Sequence, residues 1–111
     1  MREHDLEEAL RGTGMPVARN AFLEETALPY VVYRPHGSRD LMADDGNHAP
    51  VRTWAVELYT DGPSAGGGQA EAERGVEQAL RGAGGAWAKD ETWIAEEGTT
   101  LTSYTTTTIG D

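Results

Sequence analysis

A chain of 111 residues, 38% of them hydrophobic, is the length of one domain with one modest core, a size that gains from oligomerisation. Nine basic against nineteen acidic residues give a net charge of −10, and the only lysine is Lys89. That balance argues against direct gripping of nucleic acid, which needs clustered Lys and Arg.

Cysteine is absent, which excludes disulfides, thiolate metal sites and cysteine nucleophiles. Arg2, Glu3, His4 and Asp5 cannot form the apolar core of a signal peptide. The longest apolar run, Ala27 to Tyr33, is far short of the roughly 20 residues of a membrane helix. The expectation is a soluble protein made in the cytoplasm.

Asp5-Leu6-Glu7-Glu8 predicts a helix start, with Asp5 as N-cap and Glu8 reaching back to it. Leu6, Ala9 and Leu10 supply its apolar stripe, and Gly12 and Gly14 end it. Met15 to Glu25 shows no sustained period, and Phe22 is predicted to plug the core beneath this segment. Leu28 to Arg34 predicts the first strand, with Pro29 at its opening position.

His36 to Pro50 has no pattern and holds the turn formers Gly37, Asp44-Asp45-Gly46-Asn47 and Pro50. Fifteen residues exceed a normal hairpin loop of about 2–5, so the stretch reads as an extended, mobile arm. Arg52 to Asp61 alternates, with Trp54, Val56, Leu58 and Thr60 on one face and Thr53, Ala55, Glu57 and Tyr59 on the other.

A glycine-rich approach, Ser64 to Gly68, leads to a second helix whose stripe is Ala72, Val76, Ala79, Leu80 and Ala83. Glu73, Glu77 and Arg81 are placed on its outer face, Glu77 four residues before Arg81. Gly75, inside the helix, is read as allowing close approach to the sheet. Ala86 to Ala95 predicts a third strand, Glu96-Glu97-Gly98 a turn, and Thr99 to Ile109 a fourth strand made of β-branched threonines.

The result is an α+β domain spanning 1–111 in the order α-β-β-α-β-β. Its four-stranded sheet is mostly antiparallel or mixed, with the helices on one face and a long arm between strands one and two. The predicted core is Tyr30, Val32, Trp54, Val56 and Leu58 beneath Ala72, Val76, Ala79 and Leu80.

Candidate chemistry is thin. His4, His36 and His48 lack metal-ligand spacing, and a zinc site would need them to converge on a carboxylate such as Asp44. Asp44 to Asn47 lacks the alternating ligands and closing glutamate of a calcium loop. Gly62 to Gly68 lies where a helix could hold phosphate but has no P-loop lysine, and Glu71 and Glu73 stand close behind it. None of Ser38, Ser64 and Ser103 sits in a nucleophile elbow. Trp54, Trp87 and Trp93 read as packing residues rather than a base-stacking platform. No catalytic residue, cofactor or metal is predicted.

Four phrases carry a family resemblance: Leu28 to Tyr33, Ala43 to Asn47, Ala55 to Asp61 and Trp87 to Ile94. Together with the order of elements, over roughly Gly14 to Tyr104, they resemble the tail-completion proteins of phages with long non-contractile tails. These are also called tail terminators or head–tail joining proteins. The glycine-rich helix approach and the threonine tail depart from the usual acidic or aromatic pattern. The resemblance implies a non-enzymatic virion subunit that forms a homo-oligomeric ring, typically a hexamer, on the tail tube. That ring stops tube polymerisation and docks to the head connector, while DNA passes through without specific binding and no membrane is involved. Assembly would take place in the host bacterial cytoplasm, and the subunit would reside at the head-proximal end of the tail.

The arm supplies the candidate interface: Arg34, His36, Arg39, Asp40, Asp44, Asp45, Asn47 and His48. Two alternatives remain open, a small enzyme or ligand- or metal-binding domain using the 36–48 loop, and an acidic regulatory protein that binds a basic partner.

Overall fold

The structure is a computed structural model; it describes residues 1–42, 48–63 and 68–110, and of residues 37–42 and 48–50 the backbone alone. The elements run α1 (Glu3–Arg11), β1 (Val17–Arg19), β2 (Tyr30–Met42), β3 (His48–Asp61), α2 (Gln69–Gly82), β4 (Trp87–Ile94) and β5 (Thr99–Ile109). The strands form one sheet in the order β1-β2-β3-β5-β4. β1 joins β2 in parallel, and every other pairing is antiparallel. The predicted α+β class holds, with a fifth strand added at the β2 edge.

α1 begins three residues earlier than the capping signal suggested, with Arg2 at the N-cap. Asp5 stands one turn inside and accepts the Arg2 backbone N–H at 2.9 Å. It thus plays the returning partner of the box rather than the cap itself.

The helices cover one face of the sheet. Leu6, Leu10, Ala72, Val76 and Leu80 meet Val31, Tyr33, Trp54, Val56, Leu58 and Tyr104 in a single cluster. The phase of β2 is therefore opposite to the expected one. Pairing Val31 with Leu58 and Tyr33 with Val56 turns those two residues toward the helices. Tyr30 and Val32, opposite Tyr59 and Glu57, point to the other face. Phe22 goes with them, edge-on to Tyr30 at 5.1 Å between ring centroids. It does not plug the main core. Ala79 is only half-buried.

β5 supplies the helix-facing side with hydroxyls. The Thr100 hydroxyl donates to the Gly62 carbonyl at 2.7 Å, and that of Thr106 to the Ala86 carbonyl at 2.6 Å. Thr102 donates to Glu73, and Thr108 accepts the Trp54 indole N–H at 2.9 Å. Each buried threonine fills space as a β-branched residue while its oxygen finds a partner within reach.

The described parts of the His36 to Pro50 stretch, through Met42 and from His48, are strand and not loop. Pairing of β2 with β3 continues through Gly37–Thr53 to Met42–His48, with a register shift between Pro35 and Gly37. His36 is the extra residue of that bulge. Pro35 beside it lies past the last β1 partner, Tyr33, where a missing N–H interrupts no neighbouring ladder. β5 ends opposite Val51, so residues 40–42 and 48–50 form a two-stranded ribbon beyond the sheet, about 10 Å long at about 3.4 Å per residue. Asp44, Asp45 and Asn47 lie outside the described residues.

Gly75 does not bring α2 close to the sheet. A Cβ added there meets nothing within 4 Å. Gly75→Ala should therefore stabilise the fold by about 0.5–1 kcal/mol through helix propensity, seen as a raised Tm. A lowered Tm would mean that this helix face is closed.

Candidate assembly surfaces

On the helix-covered side, polar groups tie each helix to the sheet. Glu3 bridges Arg52 at 2.8 Å and Arg19 at 3.5 Å, joining the first turn of α1 to β3 and β1. The Arg19 guanidinium lies 5.2 Å from the Trp54 ring centroid. Glu7 accepts from the Tyr33 hydroxyl at 2.9 Å and from Arg11 at 3.1 Å. Those bonds, Tyr33 first, hold the Glu7 carboxyl below its ordinary pKa. Burial, with the Glu7 bond behind it, pushes the Tyr33 phenol up to about 12.

Glu73 and Glu77, expected on the outer face of α2, turn toward β4 and β5. Lys89 Nζ reaches Glu73 at 2.7 Å and Glu77 at 2.9 Å. Thr102 and Gln69 each donate to Glu73 at 2.9 Å, and the Tyr104 hydroxyl donates to Glu77 at 2.8 Å. Burial alone would raise the Glu73 carboxyl. The bonds from Lys89, Gln69 and Thr102 outweigh it and hold the group below its ordinary pKa. Burial and the Glu77 bond push the Tyr104 phenol above the usual phenol range. Arg81, expected to pair with Glu77, instead lies 5.5 Å from the Trp87 ring centroid.

These groups brace the helices against the sheet. Among the described residues no cluster of three or more His, Asp or Glu is placed to hold a metal. His4 pairs with Glu8 at 3.2 Å. The proposed convergence of His36 and His48 on Asp44 lies partly outside the described residues. Ser103 stands in register between Glu57 and Asp90. Trp54 and Trp87 flank Thr106 across the sheet, whereas Trp93 pairs with Thr100 near the other end. The indoles make no common platform. No described helix is long and apolar enough to cross a membrane.

Among the described residues, two surfaces stand out as candidates for contacts. One is the β2–β3 hairpin, where β2 carries the exposed Arg34 and His36 within the sheet and then Arg39 at its border, and the ribbon beyond contains Asp40 and His48. Arg34 is held to Glu57 at 2.7 Å. The other is the sheet face away from the helices, where Thr105, Thr107 and Ile109 are exposed. There the Tyr59 hydroxyl donates to Glu57 at 3.2 Å. Burial and then the Glu57 charge push the Tyr59 phenol up to about 12. Sequence reasoning singled out the ribbon but missed the uncovered face. The alternation of Thr53, Ala55, Glu57 and Tyr59 was its one signal.

No protein-family model and no curated protein matches the sequence. A solved chain from the virion of a native gene transfer agent particle has a similar fold. The TM-score is 0.65 at 15% sequence identity, and the match covers 94% of this chain and 90% of that one.

Proposed function

We propose that this chain is a structural virion protein of a phage-like particle, acting as a tail-completion subunit. The observation that carries the reading is the fold shared, over nearly its whole length, with a chain of the gene transfer agent virion. In this reading the subunit closes a homo-oligomeric ring, of six copies, on the end of the tail tube. The ring halts tube growth and offers its other side to the head connector. Arg34, His36, Arg39, Asp40, Asp44, Asp45, Asn47 and His48 contribute the contact between neighbours. The excess of acidic groups suits a channel through which DNA slides without adhering, since like charges repel.

The ribbon supports this arrangement because its outer pairs bond only to each other, so its ordering contributes little to the domain and is available to a neighbour. Replacing residues 40–50 by Asn-Gly, which closes the Arg39–Val51 pair with a two-residue turn, should leave Tm nearly unchanged. Native mass spectrometry, alone and with assembled tail tube, should show the closed oligomer in the parent and its loss in the variant. An unchanged oligomer would move the interface to the uncovered sheet face. Failure of the parent to associate in either setting would overturn the ring.

A further inference from the structure

We propose that the pocket between the 20–29 loop and the uncovered sheet face receives an arginine or lysine side chain from a basic segment of another protein. The pocket has a volume of about 450 Å³, within the range of ordinary ligand sites. The sheet contributes Tyr30 and Tyr59, the loop Phe22, Glu24 and Glu25, and the β4–β5 turn Glu97. Phe22 meets Tyr30 edge-on at 5.1 Å and 75°, and Tyr30 meets Tyr59 at 5.1 Å and 32°. Three contiguous rings thus line the pocket, and aromatic rings attract a guanidinium or ammonium group that comes over them.

The charges agree with the rings. Arg34 also lines the pocket, but its charge is balanced by Glu57 at 2.7 Å. Glu24, Glu25 and Glu97 take part in no ion pair among the described residues. An entering cation would therefore meet three carboxylates not already neutralised. The loop is anchored where it leaves β1: Asn20 adopts φ 69° and donates its N–H to the Tyr33 carbonyl at 2.9 Å.

Leu23 points to a protein rather than a small cation. It sits between Phe22 and Glu24 at 102% relative exposure. A free ion would leave it in water, whereas a peptide bearing the cation would cover it. A second copy of this chain fits less well. Five of its nine basic residues, Arg11, Arg19, Arg34, Arg52 and Lys89, are already held in ion pairs within the fold, and a net charge of −10 on each copy sets two copies against each other. The partner is a different and basic protein. This inference is independent of ring formation.

The test is titration of the ¹⁵N-labelled full chain with acetyl-Gly-Arg-Gly-amide, using acetyl-Gly-citrulline-Gly-amide as the uncharged isostere. Saturable shifts at Phe22, Tyr30 and Tyr59 are expected with the arginine peptide and not with citrulline. Combined Glu24→Gln, Glu25→Gln and Glu97→Gln, isosteric and at the surface, should weaken binding roughly tenfold at low salt. Tyr59→Phe keeps the ring and should bind as the parent does, while Tyr59→Leu should bind about fivefold more weakly. Absent shifts, equal shifts with citrulline, or binding indifferent to the triple variant would each overturn the proposal.

Discussion

Val56→Asp is expected to unfold the domain at room temperature. Val56 is fully buried, with Tyr33 opposite on β2 and Tyr104 opposite on β5. Those tyrosines are already committed to Glu7 and Glu77, so a carboxylate between them finds no cation and a locally anionic setting. Losing the valine contacts and burying an unpaired carboxyl should together cost more than about 4–5 kcal/mol, a large share of the about 5–15 kcal/mol that holds a domain together. Far-UV circular dichroism should show loss of the native spectrum. Val56→Ala should fold but melt earlier, at a cost of about 2–4 kcal/mol. Thr107→Asp, exposed on the opposite face of the same sheet, should stay within about 0.5 kcal/mol of the parent. A native melt for Val56→Asp would show that the faces of β3 are wrongly assigned.

The second large effect is expected from Lys89→Ala. It leaves Glu73 and Glu77, at 14% and 24% side-chain exposure, one helical turn apart with no cation between them. The loss should be about 1–3 kcal/mol at neutral pH, discounted because the lysine itself is 40% exposed. The pH dependence separates this from lost packing. In the parent the Glu73 pKa is depressed below 4.5, so its contribution is present above that value and is lost as pH falls through the folded-state pKa. Lys89 is raised above 10.5 by its bonds to Glu73 and Glu77, so its share is lost only as pH rises beyond that value. In the variant the two carboxylates repel while ionised, and protonation relieves them. The stability gap between parent and variant should therefore be widest near neutrality and shrink below about pH 4.5. A gap independent of pH would assign the loss to the lysine stem and not to its charge.

How much of this was legible in the sequence depended on contrast within each segment. β3 alternates apolar and polar residues from Thr53 to Thr60, so both its existence and its faces could be read. In Tyr30-Val31-Val32-Tyr33 all four residues are apolar. The segment announces a strand but not its phase, which only the pairing with Leu58 and Val56 decides. β1 has three residues and no period; it exists because β2 offers an edge to pair with. Pro35, His36 and Gly37 look like the end of a strand and are instead a bulge within one. Glu73 and Glu77 border the apolar stripe of α2, and nothing local showed that Lys89, Thr102 and Tyr104 would meet them. Of the predicted interface, the place of Arg34, His36, Arg39, Asp40 and His48 along the β2–β3 hairpin follows from the strands.

The threonines of β5 also bear on the chain before it folds. A row of valines would have packed the sheet equally well, since both side chains are β-branched. It would also have produced a long, uncharged, water-averse stretch of the kind that stacks into fibrils when exposed. With threonine at seven of the eleven positions from Thr99 to Ile109, the preference for an extended backbone is kept while the stickiness is removed. The strand becomes cohesive only where Gly62, Glu73, Ala86 and Trp54 stand ready to meet its hydroxyls. A newly made chain thus carries one of its interior strands in a form that aggregates poorly and folds well.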